Sequence, residues 1–209
     1  MIVEHFKNTK WLVNQITFSE IGKFIYMKPA KCAGTSIFRK TLQRDVPDAL
    51  CRKDNAQKHE AWLNNLTDEQ VINDYFKFTF VRNPYDRIVS AYVHIILGNQ
   101  GRNISFEEFV KYHLVDGEGY PLHDHWLPQH LHTYCNGIQF VDYIGNVETL
   151  DKDWKFVADK IGVCDVLPYF RWPAPPRKND YREYYTNTET IETVSKVYKK
   201  DIELFNYEF

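Results

Sequence analysis

Two stretches of this chain place anion-binding residue types at useful intervals. The first is PAKCAGTS at 29–36, which carries Lys31, Cys32, Ala33, Gly34, Thr35 and Ser36. A lysine, a glycine and two hydroxyls just ahead of a helix can hold a phosphate. The helix start offers unpaired backbone N–H groups and a partial positive charge, and the lysine adds a full one. Gly34 lets the backbone come close to an anion. The second stretch is FKFTFVRNPYDRIVSAY at 76–92. Arg82 follows an apolar run, and Ser90 lies eight residues on. A guanidinium at a strand end and a hydroxyl from the next helix can meet on one phosphate. The bland alternatives are a plain helix cap for the first stretch and a surface ion pair for Arg82.

An ATP- or GTP-binding loop would read G-x-x-x-x-G-K-[ST]. Here Lys31 precedes the glycine and Thr35 stands where that lysine would be. The spacing therefore disfavours a kinase or other nucleotidase without removing it as an alternative. A second alternative is a non-catalytic carbohydrate-binding domain on the same fold, because fold alone does not assign activity.

The elements that must position these groups follow from periodicity. Residues 24–28 and 76–81 read as strands, and SIFRKTLQR as a helix with Ile37, Phe38 and Leu42 inward. Asn83-Pro84 ends the second strand, and a helix over 85–97 is closed by Gly98. Ser105 and Glu108 form a capping box for a helix over 106–114. Residues 139–145 read as a strand, and 151–161 as a helix stopped by Gly162. The proline-rich stretch 165–187, with Pro168, Pro173, Pro175 and Pro176, reads as a long loop. Thr186 and Glu189 suggest a second capping box, ahead of helical spacing from Ile191 to Phe205. Alternating strands and helices predict an α/β domain with a central, mostly parallel sheet flanked by helices.

The two stretches together resemble the donor-binding motifs of the sulfotransferases that use 3′-phosphoadenosine 5′-phosphosulfate (PAPS). SFEEFVKYHL, HDHWLPQ, FVDYIGNVETL and YKKDIELFNY are similar to segments of that family's carbohydrate branch. The likeness runs over most of the chain from about residue 24. It implies a single P-loop-nucleotidase-like domain over 1–209, transferring a sulfuryl group from PAPS to a carbohydrate hydroxyl and releasing PAP. Under the resemblance, residues 31–36 hold the 5′-phosphosulfate, and Arg82 and Ser90 hold the 3′-phosphate. One departure is Ala30, where the family has proline.

Sulfuryl transfer needs charge neutralised on the leaving phosphate and a base for the acceptor hydroxyl. Lys31 suits the first task. His59, in the segment between the two motifs where the family's catalytic histidine lies, is the expected general base, and its neighbour Glu60 is the rival. His125, Trp126 and Gln129 are expected acceptor contacts or core. Arg177 and Lys178, with Arg171 and Arg182, could close over the donor's phosphates. His123, His125, His130 and His132 match no standard zinc spacing, and the resemblance implies no metal requirement.

The bulk properties fit a single globular domain. Of 209 residues, 44% are apolar, 26% charged and 16% aromatic, and the net charge is −2. That balance excludes wholesale disorder and gives no sign of a nucleic-acid partner. The four cysteines form no Cys-x-x-Cys pair and are expected to be free thiols. No run of about 18 apolar residues is present, so no transmembrane segment is expected. The chain as given reads as cytoplasmic and bacterial-type, or as a trimmed form of a Golgi-lumenal enzyme. Oligomeric state is not set by the sequence.

Overall fold

The computed structural model describes residues 1–9, 11–116, 122–170 and 175–209. Arg171 and Pro173 lie outside these residues. The chain divides into two compact units: Met1–Val81 with Leu131–Phe170, and Arg82–His130 with Arg171–Phe209.

The first unit is built on a five-stranded sheet with order β3-β1-β2-β4-β7. Its strands are β1 (Ile16–Ser19), β2 (Phe24–Met27), β3 (Leu50–Cys51), β4 (Phe76–Val81) and β7 (Tyr143–Asn146). A separate hairpin, β5 (Tyr134–Cys135) and β6 (Ile138–Gln139), turns at Asn136-Gly137. Both turn residues have positive φ, 51° and 79°, as a tight two-residue hairpin turn requires. β2, β4 and β7 are parallel neighbours. β1 is antiparallel to both β2 and β3, so β3 runs in the same sense as β2. Four of the five strands thus share one direction, as the alternation of elements predicts. The expected strand over 139–145 divides between β6 and β7, because Phe140 turns back to bond Thr133 O.

Helices cover both faces of this sheet. Phe24 and Tyr26 of β2 join Phe78 and Phe80 of β4 in one core, with Ile37, Phe38 and Leu42 of a π-helix at Thr35–Leu42. That helix continues as the short α2 (Gln43–Asp45). α7 (Leu150–Ile161) adds Trp154, Val157 and Ala158, and stops at Gly162 with φ 71°. On the other face Phe18 of β1 stacks on Trp62 of α3 (Ala56–Asn65), with ring centroids 3.9 Å apart. α1 (Ile2–Asn8) and α4 (Asp68–Asn73) complete the unit. Lys77, almost wholly buried in β4, offers its ammonium to Val71 O, Ile72 O and Tyr75 O at 2.8–3.2 Å. It thereby satisfies carbonyls at and just beyond the end of α4.

The second unit is helical. α5 (Pro84–Ala91) starts on the Asn83 side chain, which accepts from Tyr85 N at 3.0 Å. It runs directly into a π-helix, Tyr92–Asn99. Gly98 therefore lies inside the helix and does not close it. Closure falls at Gln100 and at Gly101, whose φ is +61°. α6 (Phe106–His113) carries the expected Ser105–Glu108 capping box. α8 (Thr188–Val197) is capped by Asn187, which accepts from Thr190 N at 2.8 Å, and not by Thr186. Thr186 is drawn away by a hydrogen bond to Glu107. α9 (Lys199–Phe205) follows after a break at Tyr198. Tyr92, Phe106, Phe109, Trp126, Tyr185, Val194 and Tyr198 form the core.

Gly145 of β7 is required by close packing. A Cβ there would lie 2.5 Å from Phe80 Cε1 and 3.1 Å from Asp153 Cβ. Phe80 is fully buried beside Phe78 and Trp154 and has no free space to swing into. Gly145→Ala should destabilise the protein by about 1–3 kcal/mol, read as a lower urea midpoint with unchanged slope.

Candidate functional site

In the first unit the loop after β2 is wound into an uncommon shape. Lys31 and Ala33 both adopt positive φ, 68° and 57°. Two non-glycine residues in this region, one apart, store backbone strain of order 1–3 kcal/mol each. Such alternation turns successive N–H groups toward one concavity, the geometry of an anion nest. The loop then enters the π-helix at Gly34–Thr35, where N-terminal N–H groups add to the cradle. Gly34 has an ordinary φ of −55°, so what it supplies is space. A Cβ there would meet Lys28 Cγ at 2.8 Å. Tyr26 lies fully buried beneath the loop, and its hydroxyl has no hydrogen-bond partner among the described residues. Burial pushes that phenol well above its usual pKa, so it stays a donor. Cys32 and Ser36 are buried, and Lys31, Ala33 and Thr35 are partly exposed.

The entry to this loop is fixed from below. The Gln15 side chain accepts from Ala30 N at 3.2 Å and meets His132 Nε2 at 2.8 Å. Its backbone carbonyl accepts from Lys28 N at 2.7 Å. His132 and Gln15 are both buried. Gln15 carried no motif, and its isolated position in the sequence gave no signal of this role.

His59 sits on α3 with no exposed surface. Its Nε2 lies 3.3 Å from Ile16 O, and Phe18 meets the ring edge-on at 5.7 Å. Its Nδ1 has no partner among the described residues. Burial, aided by the charge of Arg52, lowers its pKa, although the bond to Ile16 O opposes this. The imidazole is therefore neutral at pH 7. Glu60 is the exposed neighbour and pairs with Arg52 at 2.8 Å.

In the second unit Arg82 and Arg177 share one carboxylate. Arg82 Nε donates to Asp86 Oδ2 at 2.7 Å, and Arg177 pairs with Asp86 Oδ1. Ser90 lies four residues beyond Asp86 on α5 and so shares its face. Arg82, Arg177 and Ser90 are thus gathered on one side of α5. Lys178 is not part of this group. Its ammonium turns to Glu183 O at 2.8 Å and over the Tyr184 ring. Arg182 likewise lies over Tyr181 and Phe209.

The three expected acceptor residues have different settings. Trp126 is buried against Phe109 and His123. Gln129 is fully buried, with its amide oxygen on Arg82 N at 2.8 Å and its amide nitrogen on Arg82 O at 2.9 Å. His125 is partly exposed, with Nδ1 2.8 Å from Asp124 Oδ1 and 3.1 Å from His123 Nδ1. His123, Asp124 and His125 form a group compact enough to take a metal ion. Their hydrogen bonds to one another account for the same geometry, with His123 Nδ1 also accepting from His125 N. His130 belongs elsewhere, on Asp201.

β2 and β4 are adjacent and parallel, so both end at the same edge of the sheet. The Lys31 loop follows β2, and Arg82 follows the last residue of β4 in the chain. Ligands of open α/β sheets bind at that edge. The sequence matches the profile of the sulfotransferase family over residues 14–208, and the chain belongs to that family. Within it the chain is similar to carbohydrate sulfotransferases. It is 29% identical to carbohydrate sulfotransferase 11 of Mus musculus over 171 residues, covering 65% of this chain and 48% of the relative. It is 25% identical to carbohydrate sulfotransferase 14 of Danio rerio over 238 residues, covering 95% of this chain and 63% of the relative. The chain thus spans between about half and two thirds of the length of these relatives. No solved structure gives a significant match. Among the described residues no helix is long and apolar enough to cross a membrane.

The neutral state of His59 has a pH signature. In the unfolded chain its imidazole takes a proton as pH falls below about 6.5, whereas the folded site resists protonation. Its lowered pKa therefore contributes stability above that pH and loses it as pH falls further. The melting-temperature difference between the wild type and His59→Gln should shrink from pH 8 to pH 5.5. A constant difference would contradict a buried neutral ring.

Proposed function

We propose that the protein transfers the sulfuryl group of PAPS to a hydroxyl of a carbohydrate acceptor, as a sulfotransferase domain over residues 1–209. The observation that carries the reading is the strained Lys31–Ala33 turn opening onto a helix start, in a chain of this family. The named relatives are carbohydrate sulfotransferases, which supports the acceptor class. Residues 31–36 suit the 5′-phosphosulfate, and the buried Tyr26 hydroxyl gives the cradle a spare donor. Arg82, Ser90 and Arg177 suit the 3′-phosphate.

In this reading the acceptor oxygen attacks sulfur in line. The new O–S bond forms as the bond from sulfur to the bridging phosphate oxygen breaks. PAP departs with the bonding pair, and Lys31 neutralises the charge that builds there. The acceptor proton passes to a base on the first turns of α3. His59 has a free Nδ1 lone pair but must leave its pocket to use it. Glu60 is exposed, and it takes the role if His59→Gln retains turnover. The reaction routes no step through a metal.

PAP at 100 times its dissociation constant should stabilise the fold by about 2.7 kcal/mol, with ATP–Mg²⁺ giving no comparable shift. Lys31→Ala should lower turnover with ³⁵S-labelled donor by on the order of 100-fold or more. Stabilisation by ATP–Mg²⁺ and none by PAP would replace this reading with a nucleotidase. Unchanged acceptor binding with no turnover in the wild type would replace it with a carbohydrate-binding domain.

A further inference from the structure

The segment Trp126–His130 is held by buried polar groups from α5, from α9 and from the break at Tyr198. Tyr198 donates its hydroxyl to Trp126 O at 2.7 Å. Arg87 of α5, with no exposed surface, donates to Leu127 O at 2.8 Å. Asp201 of α9, also fully buried, accepts from Gln129 N at 2.7 Å and from His130 N at 2.8 Å. Its Oδ1 also meets His130 Nδ1 at 2.7 Å. The Gln129 side chain then grips the main chain of Arg82 in both directions.

A buried carboxylate is costly unless its lone pairs are filled, and one in this position holds its donors firmly. Burial pushes the Asp201 pKa up. The bond from His130, the charge of Arg87 and the backbone bond outweigh that and hold it below the usual range. The anion is therefore permanent near neutral pH. A glutamine amide that both accepts from and donates to one residue copies a strand partner, and it does so at the first residue beyond β4. The next residues are fixed too, since Asn83 caps α5 and its amide donates to Glu208 O at 2.8 Å.

We propose that Gln129, locked in place by Asp201, is a positioning residue that sets the backbone of Arg82 and so aims its guanidinium at the donor's 3′-phosphate. This rests on the donor reading above. It assigns Gln129 to the donor side and away from the acceptor. Asp201, to which the sequence reading gave no role, becomes part of the same device.

The test is a double-mutant cycle on PAP affinity by titration calorimetry, with melting curves as a folding check. Gln129→Leu should weaken PAP about tenfold, and Arg82→Ala should weaken it at least as much. The double variant should bind like Arg82→Ala alone, because the lost clamp has nothing left to aim. Losses that multiply, or full affinity in Gln129→Leu, would overturn the proposal. If Arg82→Ala leaves PAP affinity unchanged, the donor reading itself fails, which is a separate outcome.

Gln129→Glu covers the case in which the leucine variant does not fold. As a carboxylate it can accept from Arg82 N but cannot donate to Arg82 O. Protonated, it can do both, and burial should bring that change above the usual carboxyl pKa of about 4.3. Its PAP affinity relative to wild type should recover as pH falls from 8 to 5. A ratio that stays flat across that range would count against the clamp.

Discussion

A carboxylate with no contact to solvent organises the second unit. Asp201 cannot be hydrated, so every lone pair it presents has to be met by a protein donor. The donors it takes are the first backbone N–H groups of the 3-10 turn Gln129–His132 and the ring of His130. That choice matters because the first N–H groups of a helical turn have no carbonyl within the turn to bond. With that segment held by Asp201, Arg87 and Tyr198, the Gln129 amide bonds both the N–H and the carbonyl of Arg82. The chain of dependence runs from the C-terminal helix to the residue that follows the central strand. It consists of short bonds that are buried or partly buried.

The first unit solves the corresponding problem by strain. Lys31 and Ala33 are held in a left-handed conformation that neither prefers, and the surrounding fold supplies the restraint. Gln15 holds Ala30 and Lys28 on one side of the loop, and the π-helix begins on the other. The glycine is used where a side chain would strike Lys28, so the strained positions fall on residues with a Cβ. A turn of this kind, fixed in advance, would let an anion bind without first ordering the backbone.

The sequence displays these two units unevenly. The strands at 24–28 and 76–81 stand out because both are short, apolar and bounded by breakers. The Ser105–Glu108 box and Gly162 act locally, so their signals are local too. The closure at Gly101 and the cap at Asn187 were missed because tertiary contacts shifted each end by a residue or more. Thr186 is engaged by Glu107, and the π-helix carries the chain past Gly98. The Asn136-Gly137 turn was readable in principle, as a dipeptide that favours positive φ twice. Arg82, Ser90 and the loop of Lys31 were legible because motifs are contiguous. The roles of Asp201 and Gln15 were not, since they lie in partners far along the chain. His59 shows the converse limit. Its type suggested a reactive group, and only burial among Phe18 and Trp62 shows how far the ring is from solvent.

The two wide-wound helices carry a consequence for how this chain can vary in length. Each adjoins a stretch proposed to hold the donor, Thr35–Leu42 after the Lys31 loop and Tyr92–Asn99 after α5. The bond from Gln100 N to Ile95 O spans five residues where a regular helix spans four. Removing one residue from either coil would let it relax to regular winding, and everything beyond would shift along the axis and turn by a fraction of a turn. Loops elsewhere absorb an insertion or deletion at their tips, but these two segments transmit it as a rotation. Residue number in both is therefore constrained as tightly as residue type, and an alignment gap falling within either would signal a reoriented neighbour and not a neutral trim.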